Sequence, residues 1–157
     1  MTDRRVLVAG LGNVFLGDDG FGVEVASRLA RQPLPSGVRV VDTGIRARDL
    51  AYELVDGGFD VAILVDAAAR GGAPGMLYVI DPAVADVPTG SVGVFDGHSM
   101  TPDATMAFVQ ALGGTATRIL ILACEPQSLQ EDVGLSPPVR VAVDEAVDMV
   151  RELIVCA

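Results

Sequence analysis

The length, composition and charge of this chain limit the class of protein that it can form. Its 157 residues suffice for one hydrophobic core, and we expect a single domain over residues 1–157. Hydrophobic residues make up 50% of the chain, whereas a formal net charge of −10 argues against nucleic acid and anionic membranes as partners. No targeting segment or membrane-spanning run is evident, so we expect a cytoplasmic protein, and a monomer.

Short aliphatic runs alternate with helical patterns along the chain. The first half predicts a strand at Arg5–Ala9, a helix burying Phe21 and Leu29, a strand at Val38–Val41, a helix at Ala47–Val55 and a strand at Asp60–Asp66. The second half predicts a strand at Met76–Ile80, an irregular segment to Met100, a helix from Thr101 to Leu112, a strand at Arg118–Ala123 and a helix from Pro137 to Ile154.

This alternation is typical of an α/β protein. We predict a single doubly wound domain with a twisted, mostly parallel sheet of about five strands and helices on both faces. The first and third strands should be neighbours. Because no helix precedes the strand at Met76–Ile80, that strand is expected to be antiparallel.

The loop after the first strand is the most informative part of the sequence. It contains Gly10 and Gly12 and then places Asp18 and Asp19 at the start of a helix. A glycine-rich turn at this position usually binds phosphate, but two adjacent carboxylates would repel one. Phe15 also stands where a dinucleotide-binding turn has its third glycine. The loop therefore predicts a site for a cation, and a metal ion is the obvious candidate.

Three polar side chains follow strands of the predicted sheet. Asp19 follows the first strand, Asp66 ends the third, and His98 lies in the long segment after the fourth. Ligands of open α/β sheets bind beyond the carboxyl ends of the strands, so these side chains could converge. Two carboxylates and an imidazole suit a divalent transition metal with open coordination positions. Without thiolates, a closed structural zinc site is not expected.

Each of these residues also has a purely structural interpretation. Asp19 could cap the helix that begins near Gly20, Asp66 could accept N–H bonds from the next turn, and His98 could be solvated. Asp18 is predicted to be a local turn or capping residue, so that its change to asparagine should be mild. Cys124 ends an aliphatic strand and is predicted to be a core residue rather than a nucleophile.

Four blocks of the sequence together resemble the hydrogenase maturation endopeptidases. They are Gly10-Leu-Gly12-Asn13 with Gly17-Asp18-Asp19-Gly20, then Val65-Asp66-Ala67, then His98, then Glu125-Pro126-Gln127-Ser128. The resemblance implies a protease that removes the C-terminal extension of a nickel–iron hydrogenase large-subunit precursor once nickel is in place. It assigns metal contacts to Asp19, Asp66 and His98. Nickel would be carried by the substrate, with other divalent metals able to substitute, and no residue is assigned to activating water.

The sequence departs from the family pattern after the second strand. The family commonly has an Asp-x-Gly-Thr motif associated with substrate recognition, and here the segment is Asp42-Thr43-Gly44-Ile45. The resemblance implies substrate binding by Asp42 and Gly44, with the missing threonine affecting the choice of precursor. Asp19 also stands where the family often has glutamate. A function of another class is still open, namely a non-catalytic flavodoxin-like module that binds a metal or small ligand.

Overall fold

The computed structural model describes residues 4–44, 47–81, 114–115 and 117–156. The predicted helix from Thr101 to Leu112 lies outside these residues. So does His98, together with nearly all of the predicted irregular segment.

The described residues form one five-stranded sheet with strand order β2-β1-β3-β5-β4. Its strands are β1 (Val6–Leu11), β2 (Val38–Gly44), β3 (Val61–Ala67), β4 (Leu77–Ile80) and β5 (Arg118–Cys124). Strands β2, β1, β3 and β5 are parallel, and β4 is antiparallel to β5. The predicted mostly parallel sheet, the pairing of the first and third strands, and the antiparallel fourth strand are confirmed.

Helices cover both faces of this sheet, as predicted. They are α1 (Phe21–Ala30), α2 (Ala47–Asp56) and α3 (Pro137–Cys156). On one face α1 and α3 pack against alternate residues of β1 such as Val6 and Val8, and on the other α2 packs against Leu7. The period of two in a strand directs neighbouring side chains to opposite faces, which explains why β1 is apolar throughout. Among the described helices, none has the length and apolar character required to cross a membrane.

Strands β1 and β2 extend two or more residues beyond their predicted ends. Strand β1 continues through Gly10 to Leu11, although it was expected to end at Ala9, and β2 continues to Gly44, although it was expected to end at Val41. Gly10 keeps its place in the sheet because it pairs with Asp42 on one side and Val65 on the other. A glycine within a strand often marks a close approach of another backbone, and this applies here.

Helix α1 begins in direct contact with the ends of the two central strands. A Cβ atom on Gly22 would overlap the carbonyl oxygens of Val65 and Leu11, and one on Gly10 would overlap the carbonyl oxygen of Gly22. The helix can approach this closely only because these positions lack side chains. As a result, the 3₁₀ turn that precedes α1, Gly17–Gly20, lies next to the carboxyl ends of β1 and β3.

Candidate functional site

Asp19 and Asp66 lie near each other at the carboxyl edge of the sheet. Asp19 lies in the Gly17–Gly20 turn, and Asp66 is the penultimate residue of β3. Burial raises the pKa of the Asp66 carboxyl well above its usual range, and the nearby negative charge of Asp19 raises it further. The structure therefore brings together two of the three residues that the sequence predicts for a metal site. The third, His98, lies outside the described residues.

Asp19 is half-buried and is held by the backbone of its own loop. Its Oδ2 accepts a hydrogen bond from the backbone N–H of Asn13, with an N···O distance of 2.7 Å. Burial raises the pKa of the Asp19 carboxyl, and the bond from Asn13 partly opposes that rise. Neither the 3₁₀ turn nor α1 has a side-chain cap, so the interpretation of Asp19 as a helix cap is wrong.

Asp66 is almost completely buried, with 1% of its surface exposed. Its Oδ1 accepts a hydrogen bond from the N–H of Ala67 at 2.8 Å, a residue that still belongs to β3 rather than to the next turn. This single bond does not account for placing the carboxylate beside a second one. Among the described residues, no ion pair includes Asp19 or Asp66. Two such carboxylates are compatible with ionisation only when a cation joins them, or else one must hold a proton.

Asp18 has a different role from the one predicted. Its buried carboxylate accepts four hydrogen bonds, from the backbone N–H groups of Gln127, Ser128 and Ser136 and from the Ser136 hydroxyl. Burial alone would raise the pKa of Asp18, but these bonds outweigh it and lower the pKa below its usual value. The expected local turn or capping role is therefore wrong. Since asparagine cannot satisfy four donors, a mild effect of Asp18→Asn is no longer expected.

Adjacent carboxylates in the first loop thus face different surroundings. Asp18 contacts the β5–α3 loop (residues 125–136), whereas Asp19 contacts Asn13 and lies near Asp66. Asp18 is therefore not available to a cation site shared with Asp19, and a cation at Asp19 stays a prediction. Within the part of the chain that the structure describes, no group of three histidine, cysteine, aspartate or glutamate side chains could hold a metal ion.

Glu125 is a buried carboxylate that the sequence analysis did not assign to any role. It accepts hydrogen bonds from the N–H groups of Arg70 at 2.7 Å and Gly71 at 3.0 Å, and from the Tyr78 hydroxyl at 3.3 Å. These bonds fix the loop that follows β3, and therefore the chain just beyond Asp66. The available signal was its position directly after an aliphatic strand, close to the carboxyl end of β5 as Asp66 is close to that of β3.

The residues implied in substrate binding lie at the same edge of the sheet. Asp42 is exposed and Gly44 is the last residue of the edge strand β2. The N–H of Gly12 donates to the carbonyl of Gly44 at 3.0 Å, and Gly44 has a positive φ of 55°. The carboxyl end of β2 is therefore joined to the loop that carries Asp19.

Cys124 is not suited to nucleophilic chemistry. It is fully buried at the end of β5 and belongs to the apolar core between the sheet and α3. Burial, with the negative charges of Asp18 and Glu125, raises the pKa of its thiol to about 12. A thiol in this state is not a nucleophile at neutral pH, in agreement with its predicted core role.

Comparisons with known proteins point to one family. A family model for hydrogenase maturation proteases, HycI, matches residues 23–153. A Methanocaldococcus jannaschii protein named as a candidate hydrogenase maturation protease is 32% identical over 153 residues, covering 96% of each chain. The hydrogenase 2 maturation protease of Escherichia coli is 26% identical over 148 residues, covering 93% of this chain and 88% of that protein.

A solved structure supports the same fold. The hydrogenase maturating endopeptidase HybD from E. coli superposes with a TM-score of 0.75 at 24% identity, covering 96% of this chain and 91% of that one. At this identity the similarity establishes the fold, while the match of the family model over most of the chain establishes the family. The chain belongs to the hydrogenase maturation protease family.

Proposed function

We propose that this chain is an endopeptidase that removes the C-terminal extension of a nickel–iron hydrogenase large-subunit precursor after nickel insertion. The observation that carries the proposal is the proximity of Asp19 and Asp66 at the carboxyl edge of the sheet, in a chain of this protease family. The names of the relatives refer to hydrogenases, which supports a hydrogenase precursor as the partner. We also propose that the reaction takes place in the cytoplasm and that the enzyme is a monomer.

Nickel in this proposal belongs to the substrate and serves as the recognition element. A divalent ion beside Asp19 and Asp66 would offset their mutual repulsion, and carboxylate oxygens are suitable ligands for it. His98 would supply the third contact, as the resemblance implies, and the remaining ligands would come from the precursor. Other divalent metals would substitute for nickel at the same carboxylates.

The chemical advantage of this arrangement is position. When the precursor docks through its metal, its scissile bond is held beside the carboxyl edge of the sheet, and much of the entropy of a bimolecular encounter is lost before reaction. Asp42 and Gly44, at the end of β2, would contact the precursor at the same edge. Contacts with these residues would then determine which precursor binds, and the need for a bound metal would restrict cleavage to precursors that already contain nickel.

The decisive experiment compares nickel-loaded and metal-free precursors as substrates for the purified chain. We expect mass spectrometry to show a shortened product from the nickel-loaded precursor alone. Equal cleavage of the metal-free precursor would overturn nickel recognition. Metal binding without any cleavage would favour the alternative of a non-catalytic flavodoxin-like binding module.

A direct measurement on the isolated chain tests the ligand set. We expect calorimetry to show weak binding of Ni²⁺, because three protein contacts leave several coordination positions to solvent. His98→Ala should weaken this binding, and the binding of the wild-type chain should fade as the pH falls through the imidazole range. Equal affinity in His98→Ala and the wild type would remove His98 from the site.

A further inference from the structure

We propose that Asp18 is a positioning residue whose carboxylate fixes the Gly17–Gly20 turn to the β5–α3 loop and thereby sets the placement of Asp19 opposite Asp66. The inference rests on the proposed function of the Asp19–Asp66 pair. It gives a role in the reaction to a buried group that does not itself contact the metal.

The hydrogen bonds of Asp18 reach both ends of the β5–α3 loop. Oδ2 accepts from the N–H groups of Gln127 at 2.8 Å and Ser128 at 3.0 Å, near the end of β5. Oδ1 accepts from the N–H of Ser136 at 2.7 Å, and Oδ2 also accepts from the Ser136 hydroxyl at 2.8 Å, directly before α3. One side chain therefore joins the turn before α1 to the segment between β5 and α3.

The backbone of the turn is held by the same loop. The N–H of Asp18 donates to the carbonyl of Ser128 at 2.9 Å, and the N–H of Gly17 donates to the carbonyl of Asp132 at 2.8 Å. On the other side, a Cβ on Gly12 would overlap the carbonyl oxygen of Asp19. The turn is thus confined between the loop of Gly12 and the β5–α3 loop.

This confinement determines where the Asp19 carboxylate lies. Because Asp18 and Asp19 are consecutive in a 3₁₀ turn, fixing the first side chain toward the β5–α3 loop limits the directions open to the second. The Asp19 carboxylate accepts its bond from Asn13 and lies near Asp66. Metal ligands function only when neighbouring groups hold them close to the productive geometry, and loss of such groups typically lowers metal affinity or activity by about 10–100-fold.

A purely structural role makes a different prediction from a positioning role. If Asp18 only stabilised the fold, its substitution would reduce the folded fraction without changing the properties of each folded molecule. If it positions Asp19, each folded molecule of the variant would bind Ni²⁺ more weakly and would process the precursor with a lower kcat. Affinity and rate per folded molecule separate the two roles.

The experiment compares Asp18→Asn, Ser136→Ala and Asp132→Asn with the wild-type chain. Asp132 provides the matched control, since its exposed side chain lies in the same loop but accepts a bond only from its neighbour Val133 among the described residues. Denaturation curves define conditions in which every variant is folded. Under these conditions Ni²⁺ affinity is measured by calorimetry, and kcat and KM are measured on the nickel-loaded precursor.

We expect Asp18→Asn to lose about 10–100-fold in Ni²⁺ affinity and in kcat, Ser136→Ala to lose less, and Asp132→Asn to match the wild type. Wild-type affinity and kcat in folded Asp18→Asn would overturn the inference. If that variant does not fold, Ser136→Ala tests the inference instead, because it removes only one of the four hydrogen bonds to Asp18. A Ser136→Ala chain with lower stability but unchanged Ni²⁺ affinity and kcat would then refute the positioning role. A wild-type chain that binds Ni²⁺ but does not cleave would contradict the proposed function alone, since affinity still tests Asp18. A wild-type chain that neither binds nor cleaves would overturn both proposals.

Discussion

At the residue scale, consecutive aspartates in the first loop have acquired opposite properties from their surroundings. Hydrogen bonds lower the pKa of Asp18 despite its burial, whereas burial raises the pKa of Asp19. The pKa of Asp66 is raised well above its usual range, because burial and the charge of Asp19 act together. Carboxylates that are costly to ionise beside each other are suited to binding a cation, whereas a carboxylate with four donors is suited to structure.

The first prediction concerns Asp66. Asp66→Asn keeps the size of the side chain and one acceptor oxygen but removes the charge that a cation requires. Processing of the nickel-loaded precursor should fall by more than about 100-fold, beyond the range typical of residues that only orient metal ligands. The measurement is the rate of product formation, with Asp56→Asn as control, because Asp56 is an exposed carboxylate at the end of α2.

Asp19 should behave in the same way, with one informative exception. Asp19→Asn should abolish processing, while Asp19→Glu should retain some activity because the family that the chain resembles uses either acid. Full processing by Asp66→Asn would refute docking through the metal and would require another catalytic group.

The second prediction is that Asp66 makes stability depend on pH in the absence of metal. Its pKa in the folded chain is raised above the unfolded value, so the folded state binds more protons between these two values. The free energy of unfolding contributed by Asp66 should therefore fall as the pH rises above about 4, the ordinary pKa of aspartate. Asp66→Asn should remove this loss and be at least as stable as the wild type at pH 7.

Chemical denaturation of both chains between pH 4 and pH 8, with chelator present, provides the measurement. The two stability curves should diverge as the pH rises, with the asparagine variant the more stable. Parallel curves over this range would show that the pKa of Asp66 is not raised in the folded chain.

At the scale of elements, the site depends on how α1 begins. The helix contacts β1 and β3 through glycine, and the Gly17–Gly20 turn before it carries Asp19 to the carboxyl edge of the sheet. The loops that follow β3 and β5 are held there by Glu125 and Asp18, respectively. These two loops are therefore ordered by hydrogen bonds to buried carboxylates from distant parts of the chain.

The third prediction tests the contact between α1 and the central strands. Gly22→Ala should lower the free energy of unfolding by about 1–3 kcal/mol or more, the range for overpacking, because the new Cβ meets rigid carbonyl groups of Val65 and Leu11. Urea denaturation provides the measurement. Ser27→Ala, a half-buried position in the same helix, is the control and should change stability by about 0.5 kcal/mol or less. A Gly22→Ala chain as stable as its control would show that the helix does not need this close approach.

At the scale of the whole molecule, the acidic sites gather at one edge of the sheet. Asp19, Asp66 and the end of β2 with Asp42 all lie at the carboxyl ends of parallel strands, as expected for ligand sites of open α/β sheets. The net charge of −10 is consistent with a partner that presents a cation or a basic segment. The substrate would therefore approach this edge.

The fourth prediction concerns the choice of substrate. Ile45→Thr restores the Asp-x-Gly-Thr motif of the family next to Gly44, at the end of β2. We expect this change to alter the ratio of processing rates between two nickel-loaded precursors in competition, while cleavage itself continues. An unchanged ratio of rates would show that this motif does not affect substrate choice. Loss of all cleavage would show that it is required for the reaction itself.

Much of the fold was predictable because its signals are local. Continuous aliphatic runs and helical stripes, such as Val139, Val143 and Val150 of α3, are visible in short stretches of the sequence. The proximity of Asp19 and Asp66 was also predictable, since parallel strands that are neighbours end at the same edge. The family resemblance was likewise visible in short blocks of sequence, such as Gly17-Asp18-Asp19-Gly20.

Only the tertiary structure decided the roles of the remaining residues. Asp18 binds groups 109 to 118 positions away, and Glu125 binds groups 54 and 55 positions away, so no local pattern distinguishes them from turn residues. Gly10 was interpreted from loop chemistry, yet its role, together with that of Gly22, is the close packing of a helix on two strands. Sequence determines which elements form, because propensity and periodicity are local. Contacts between distant segments determine what a buried carboxylate does, because its pKa and hydrogen bonds depend on which groups the fold places around it.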